Sequence, residues 1–329
     1  MKPDIRKGNY ILIQNAQFDP ILQAVTDRKI GYFDKISWKW LYRFQKSPEE
    51  RLQAGKNLVD SPAAVQIKKW LHPFVQRIAM SQVPYRVTVK VPCQPVPDKP
   101  IIFAVNHSCS WDVPVLFQAT GMHSYLLSGK QNLNFADWLF FRLNGTIWVD
   151  RKNKASMRAV KDALTASLKS GQSLLWFPEG TWNLTDSLPV MPLKWGIISV
   201  AQQADAQIIP VNLWYDRERT GVSVRFGSPI FGRQLEDPIS GIELLRDSMA
   251  GVWWDNLSSQ PITRRNQVTK EQLQRFYYDT LMDYPPLDIL YEQSIIFHPK
   301  NMISPEHVFS HLQQLTPTTS NAWLFYGGK

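Results

Sequence analysis

Ile101-Ile102-Phe103-Ala104-Val105 runs directly into Asn106-His107-Ser108-Cys109-Ser110-Trp111-Asp112. The apolar run is too short for a helix and carries no polar residue at alternate positions, which predicts a strand buried on both faces. The polar residues that follow predict a turn. Segments of similar texture recur at Ser124–Ser128, Thr146–Val149, Ser173–Phe177 and Gln207–Leu213. Helix-like stretches lie between them: Ala155–Ser170, closed by Gly171, and Pro189–Gln203. This rhythm predicts an α/β fold, with a mostly parallel central sheet flanked by helices. Arg86–Val91 and Val222–Phe226 alternate like half-buried strands. Pro210 interrupts another run and predicts an edge strand.

The flanks read differently. The first 75 residues are basic and aromatic, with Trp38-Lys39-Trp40-Leu41-Tyr42-Arg43-Phe44 interleaving rings and cations. A helix is expected from Ala63 to Met80, with Val65, Ile67, Leu71, Phe74, Val75 and Ile78 accompanied by Lys68, Lys69 and Arg77. Such a helix either lies in a membrane interface or packs its stripe on the main domain. After about Pro229 the strands are expected to stop. Ile242–Leu257 and Thr269–Met282 have helical patterning, and the tail from Asp283 is irregular. The expected organisation is a basic N-terminal helical region over 1–80, the main domain over 81–235, and a helical C-terminal extension over 236–329.

Composition narrows the class. With 44% hydrophobic and 20% charged residues among 329, the chain can bury a sizeable core, and disorder over most of its length is excluded. Cys93 and Cys109 alone cannot build a disulfide framework or a thiolate-rich zinc site. No apolar run is long enough to span a bilayer, and Met1-Lys2-Pro3-Asp4 lacks the apolar core of a signal peptide. A soluble or peripheral cytoplasmic protein is expected. The net charge of +9 is confined to residues 1–100, with 17 Lys/Arg against 8 Asp/Glu; the rest is balanced. That surplus calls for an anionic partner, a membrane surface or a nucleic acid. It is dispersed and lacks a recognised nucleic-acid motif, so nucleic acid is not expected.

Four stretches carry candidate chemistry. In the first, His107 and Asp112 could pair as a general base and its orienting carboxylate. On a regular helix, five residues would set them ~140° apart, so His107 must lie in the turn and Asp112 near the helix start. The competing reading makes Asp112 only a cap for the helix that Pro114 begins. The second, Phe177-Pro178-Glu179-Gly180-Thr181-Trp182-Asn183, leaves one carboxylate at a strand's end, for a site or merely solvated. The third, Gly145–Arg151, delivers Arg151 to the same edge as an anion ligand or a salt-bridge partner. The fourth is Ile209-Pro210-Val211.

Together and in this order, the four resemble the glycerolipid (lysophospholipid) acyltransferase family, which includes the 1-acylglycerol-3-phosphate acyltransferases. Asn106–Asp112 is similar to its Asn-His-x4-Asp block, Gly145–Arg151 to its second block and Phe177–Thr181 to its Phe-Pro-Glu-Gly-Thr block. Ile209–Val211 resembles the fourth block, and Lys130 with Leu133 an intervening Lys-x-x-Leu element. The resemblance covers roughly residues 85–230. It implies acyl transfer from acyl-CoA or an acyl carrier protein to a hydroxyl of a lipid acceptor at an anionic membrane surface. His107 would be the general base and Asp112 its orienter. Arg151, Glu179, Gly180, Thr181 and Lys130 would bind substrate, while Pro210 and Val211 would be structural. Neither Cys109 nor Ser110 is expected as a nucleophile, and the chemistry requires no metal or other cofactor. In one departure, Trp182 stands where the family often has an Arg associated with the acceptor phosphate, which leaves room for a non-phosphate lipid alcohol or glycolipid. A non-catalytic lipid-binding module would explain the basic front end but gives His107 and Asp112 no role.

Overall fold

The computed structural model describes residues 40–131, 133–151, 153–183, 189–216, 220–261, 267–269, 271–272 and 275. Helices α1 (Pro48–Gln53) and α2 (Pro62–Gln82) precede strand β1 (Arg86–Val91). There follow β2 (Ile101–Val105), α3 (Asp112–Thr120), β3 (Ser124–Gly129), α4 (Phe135–Asn144) and β4 (Thr146–Val149). The chain continues through α5 (Lys154–Lys169), β5 (Ser173–Trp176), α6 (Gly196–Ala204), β6 (Gln207–Tyr215), β7 (Gly221–Phe226), β8 (Ile230–Phe231) and α7 (Pro238–Ser258).

The strands form one sheet in the order β1-β7-β6-β2-β5-β3-β4, with β8 beside β6. Every pairing is parallel except those of β6 with β7 and β8. Helices cover both faces, so β2 is buried along its whole length and its side chains alternate between two cores. Ile102 and Ala104 join Leu164, Leu168, Ile197, Leu245 and Met249 on one side. Ile101, Phe103 and Val105 join Val113, Leu116, Phe117 and Val224 on the other. An uninterrupted apolar run is what a strand needs when neither face meets water.

The α/β expectation holds, and several local readings are corrected. Pro210 lies in an interior strand. The N–H it lacks falls where β6 changes partner, between the Ile208–Ile230 and Val211–Phe226 pairs, so no ladder bond is lost. The stretch from Pro189 is not helical until Gly196; Met191 N and Lys194 N instead donate to Glu179 Oε2 and Pro178 O. A short strand, β8, follows Pro229. β1 is an edge strand with only Val87 and Val91 half-buried. Thr269–Met282 falls largely outside the described residues, as does the tail from Asp283. Helices α1 and α4 went unforeseen.

Helix α2 is inverted relative to an ordinary surface helix. It turns Val65, His72 and Gln76 inward, where His72 meets the Asn144 side chain and Gln76 donates to Pro114 O. Ile67, Trp70, Phe74 and Ile78, spaced along the opposite face, are 57–68% exposed. Of the expected stripe, Val65 therefore packs on the domain while these four side chains face outward. Beyond α2, Trp40, Phe44, Trp138 and Phe135 form a chain of ring contacts.

Candidate active site

In a parallel sheet the strands deliver the residues that follow them to one edge, where open α/β sheets bind ligands. Here β6, β2, β5, β3 and β4 lie side by side. Their ends carry, in order, Tyr215, His107, Glu179, Lys130 and Arg151.

Asp112 sits at the first position of α3 and is wholly buried. It does not cap its own helix; its carboxylate reaches back to the preceding turn. Oδ2 accepts from His107 Nδ1 at 2.7 Å, Ser108 N at 2.6 Å and Cys109 N at 3.0 Å. Oδ1 accepts from Tyr215 OH at 2.7 Å. With Nδ1–H given to the carboxylate, the lone pair of His107 lies on Nε2. The ring is stacked on Phe177, centroids 3.9 Å apart, with Trp182 edge-on at 5.7 Å. The His107 side chain is 19% exposed, open enough to meet a substrate. Asn106 fixes the turn from the other side: its Oδ1 accepts from Leu213 N and its Nδ2 donates to Leu213 O. Cys109 is no nucleophile, since burial and the adjacent Asp112 charge hold its thiol well above the usual range.

Glu179 is 2% exposed, so the solvated-loop reading fails. Burial pushes its carboxyl up to about 8, against the pull of the Met191 and His107 backbone N–H groups. Its Oε2 accepts from Met191 N at 3.0 Å, which ties the turn after β5 to the stretch before α6. Gly180 adopts φ +77°, and a Cβ there would lie 3.1 Å from Lys194 Cε. Thr181 and Trp182 are buried beside it.

Arg151 follows β4 and folds toward β3: a Cβ on Gly129 would lie 3.1 Å from its Nε. Strands are ~4.8 Å apart, so three spacings separate β4 from β2, and the bend brings the guanidinium back toward His107. The structure places Lys130 against the N-terminal region, its Nζ paired with Glu50 and lying over the Tyr42 ring. Tyr215 and the Asn106 clamp were missed from sequence. Among the described residues, no three His, Cys, Asp or Glu side chains converge to hold a metal ion.

An imidazole held by a buried carboxylate at a sheet edge, with its other ring nitrogen left over, suits proton abstraction from a hydroxyl. The acyltransferase family model matches residues 86–214, a span that holds His107, Asp112, Arg151 and Glu179. Over residues 86–214 the chain is thus similar to the acyltransferase family. It is also similar to curated proteins named 1-acyl-sn-glycerol-3-phosphate acyltransferase. The Saccharomyces cerevisiae protein is 29% identical over 52% of this chain and 57% of its own length. The Streptococcus pneumoniae protein is 30% identical over 44% of this chain and 54% of its own. The chain thus spans about half the length of the curated relatives it matches. A solved structure, the 1-acyl-sn-glycerophosphate (LPA) acyltransferase of Thermotoga maritima, aligns with TM-score 0.47 and 14% identity over 74% of this chain and 98% of that one.

Proposed function

We propose that this chain is an O-acyltransferase moving a fatty acyl group from acyl-CoA or an acyl carrier protein to a hydroxyl of a 1-acylglycerol-3-phosphate-like acceptor, in glycerolipid synthesis. The observation that carries the reading is the His107–Asp112 contact, with the carboxylate buried and the opposite ring nitrogen left for chemistry. His107 Nε2 takes the proton of the acceptor hydroxyl as its oxygen attacks the thioester carbonyl. The tetrahedral intermediate collapses, the C–S bond breaks, and the thiolate leaves with the proton from His107. Products are an ester and a free thiol. Asp112 holds the ring and stabilises the imidazolium while it lasts. Arg151 serves the acceptor phosphate, with Lys130, Gly180 and Thr181 shaping the same edge, and neither metal nor cofactor takes part.

The reading places the protein peripherally on the cytoplasmic face of an anionic membrane. The outward stripe of α2 and the charge surplus of residues 1–100 support it. No helix among the described residues is long and apolar enough to cross a bilayer. A second reading is favoured by Trp182, an uncharged ring buried beside His107: the acceptor is a lipid alcohol or glycolipid without phosphate.

Incubating the protein with labelled acyl-CoA and vesicles holding 1-acylglycerol-3-phosphate, a monoacylglycerol or a glycolipid tests both. Ester on the phosphate-bearing acceptor supports the first, and ester only on neutral acceptors supports the second. His107→Gln should lower turnover by roughly a hundredfold or more while vesicle binding persists. Free fatty acid without ester would make the protein a thioesterase instead. Vesicle binding with no turnover would leave a binding module.

A further inference from the structure

β6 outruns its neighbour. β2 ends at Val105, opposite Val211, yet β6 continues through Asn212, Leu213 and Trp214 to Tyr215. Beyond the end of β2, it is β7 that keeps the strand extended. Asn212, Leu213, Trp214 and Tyr215 pair with Arg225, Val224, Ser223 and Val222 in the antiparallel ladder. The turn joining the two strands is bonded as well, with Thr220 N and Thr220 Oγ1 both donating to the Asp216 carboxylate. A parallel partner would have left these residues unsupported. The antiparallel one carries a phenol to the far side of Asp112.

Tyr215 OH donates to Asp112 Oδ1 at 2.7 Å, and its ring is held edge-on by Tyr85, centroids 4.9 Å apart. The alternative donor to that oxygen is Cys109 Sγ at 3.5 Å, a weak one. The backbone donors of Ser108 and Cys109 go to Oδ2 together with His107. The phenol is therefore the strong donor on Oδ1, and without it the carboxylate can rotate about its Cβ–Cγ bond. Burial and the facing Asp112 charge hold the phenol well above its usual range, so it remains a donor across the working pH.

We propose that Tyr215 is a positioning residue for the reaction: it fixes the carboxylate plane of Asp112, and through it the direction in which His107 Nε2 presents its lone pair. Tyr215 touches no reacting atom. It acts through Asp112, and so rests on the acyl-transfer reading for its consequence in turnover but not for its effect on the His107 ring. The titratable groups that face the pair are Cys109 on the same turn, Glu179 beneath it and Tyr215 itself.

Tyr215→Phe keeps the ring on Tyr85 and removes one oxygen. Asp112 then offers its charge to fewer donors and favours the imidazolium more strongly. The pH at which the His107 ring titrates, followed by 15N NMR of the substrate-free protein and assigned with His107→Gln, should rise by about half a unit or more. Turnover should fall roughly tenfold with KM for donor and acceptor within twofold. In an Asp112→Asn background the second change should cost less than twofold, because the pathway through the carboxylate is already cut. An unmoved titration would overturn the proposal, as would a full additional loss in the double variant, which would mark Tyr215 as merely structural. If the wild type transfers acyl groups to no acceptor while the NMR shift appears, the acyl-transfer reading fails and the coupling stands.

Discussion

The imidazole of His107 lies flat on the phenyl ring of Phe177, its plane 15° from parallel at a centroid separation of 3.9 Å. Asp112 fixes where one edge of the imidazole points, and Phe177 fixes the plane in which it can turn. Phe177→Leu keeps apolar bulk but removes the face. A stacked pair contributes about 1 kcal/mol, so turnover should fall roughly fivefold, with KM values and vesicle binding unchanged. Steady-state kinetics check this; unchanged turnover would mean the stacking is incidental.

Glu179 makes the stability of the protein depend on pH. Its carboxyl is held at about 8 in the folded chain, against 4.5 as the ordinary value. Between those pH values the folded state keeps a proton that the unfolded state has released. Stability from this group is thus complete below about 4.5 and is lost as pH rises through about 8. The melting temperature of the wild type should fall from pH 5 to pH 8.5 more steeply than that of Glu179→Gln. Parallel curves would show that the carboxyl is ionised throughout.

Gly129 leaves room for Arg151. A Cβ at 129 would lie 3.1–3.3 Å from the guanidinium, so the branched side chain of Gly129→Val should displace Arg151 while leaving the His107–Asp112 contact, two strands away, intact. A charge-assisted contact to phosphate contributes roughly 1.5–3 kcal/mol. KM for a phosphate-bearing acceptor should rise at least tenfold, with KM for the acyl donor unmoved. Equal rises for neutral acceptors would remove Arg151 from phosphate recognition.

Trp70→Ser combined with Phe74→Ser tests the outward face of α2. Both side chains are more than half exposed, so folding stability should barely change. Burial of each ring in a bilayer is worth about 1.5–3 kcal/mol, and binding to mixed anionic vesicles should weaken at least tenfold in a co-sedimentation assay. Retained binding would send the anchor elsewhere in the chain.

Much of the frame was legible because it depends on local texture. Ile101–Val105 announces a strand buried on both faces by its lack of any polar residue, and the His107 and Glu179 blocks announce the edge at which they end. What stayed hidden depends on distant partners. Pro210 reads as an edge residue until β8 and β7 are seen to divide the side of β6 that it disrupts. The Pro189–Lys194 stretch has helical composition, but its backbone donors are claimed by Glu179 and Pro178. Tyr215 gave no signal at all, since its role exists only once β7 holds β6 out past β2. In α2 the apolar positions were legible, but the sequence left open whether they face outward or pack on the domain. Hydrogen bonds from His72 and Gln76, beside the buried Val65, choose its inward face.

On the proposed membrane reading, that inversion sets the geometry in which the protein works. A body resting on a sheet of lipid by one helix meets its acceptor in two dimensions, so the relevant abundance is molecules per area rather than per litre. Diluting the acceptor with inert lipid at constant bulk amount should then slow the protein, and thinning the whole suspension with buffer should not, so long as it stays seated. An enzyme of that kind takes its pace from the crowding of the surface it sits on.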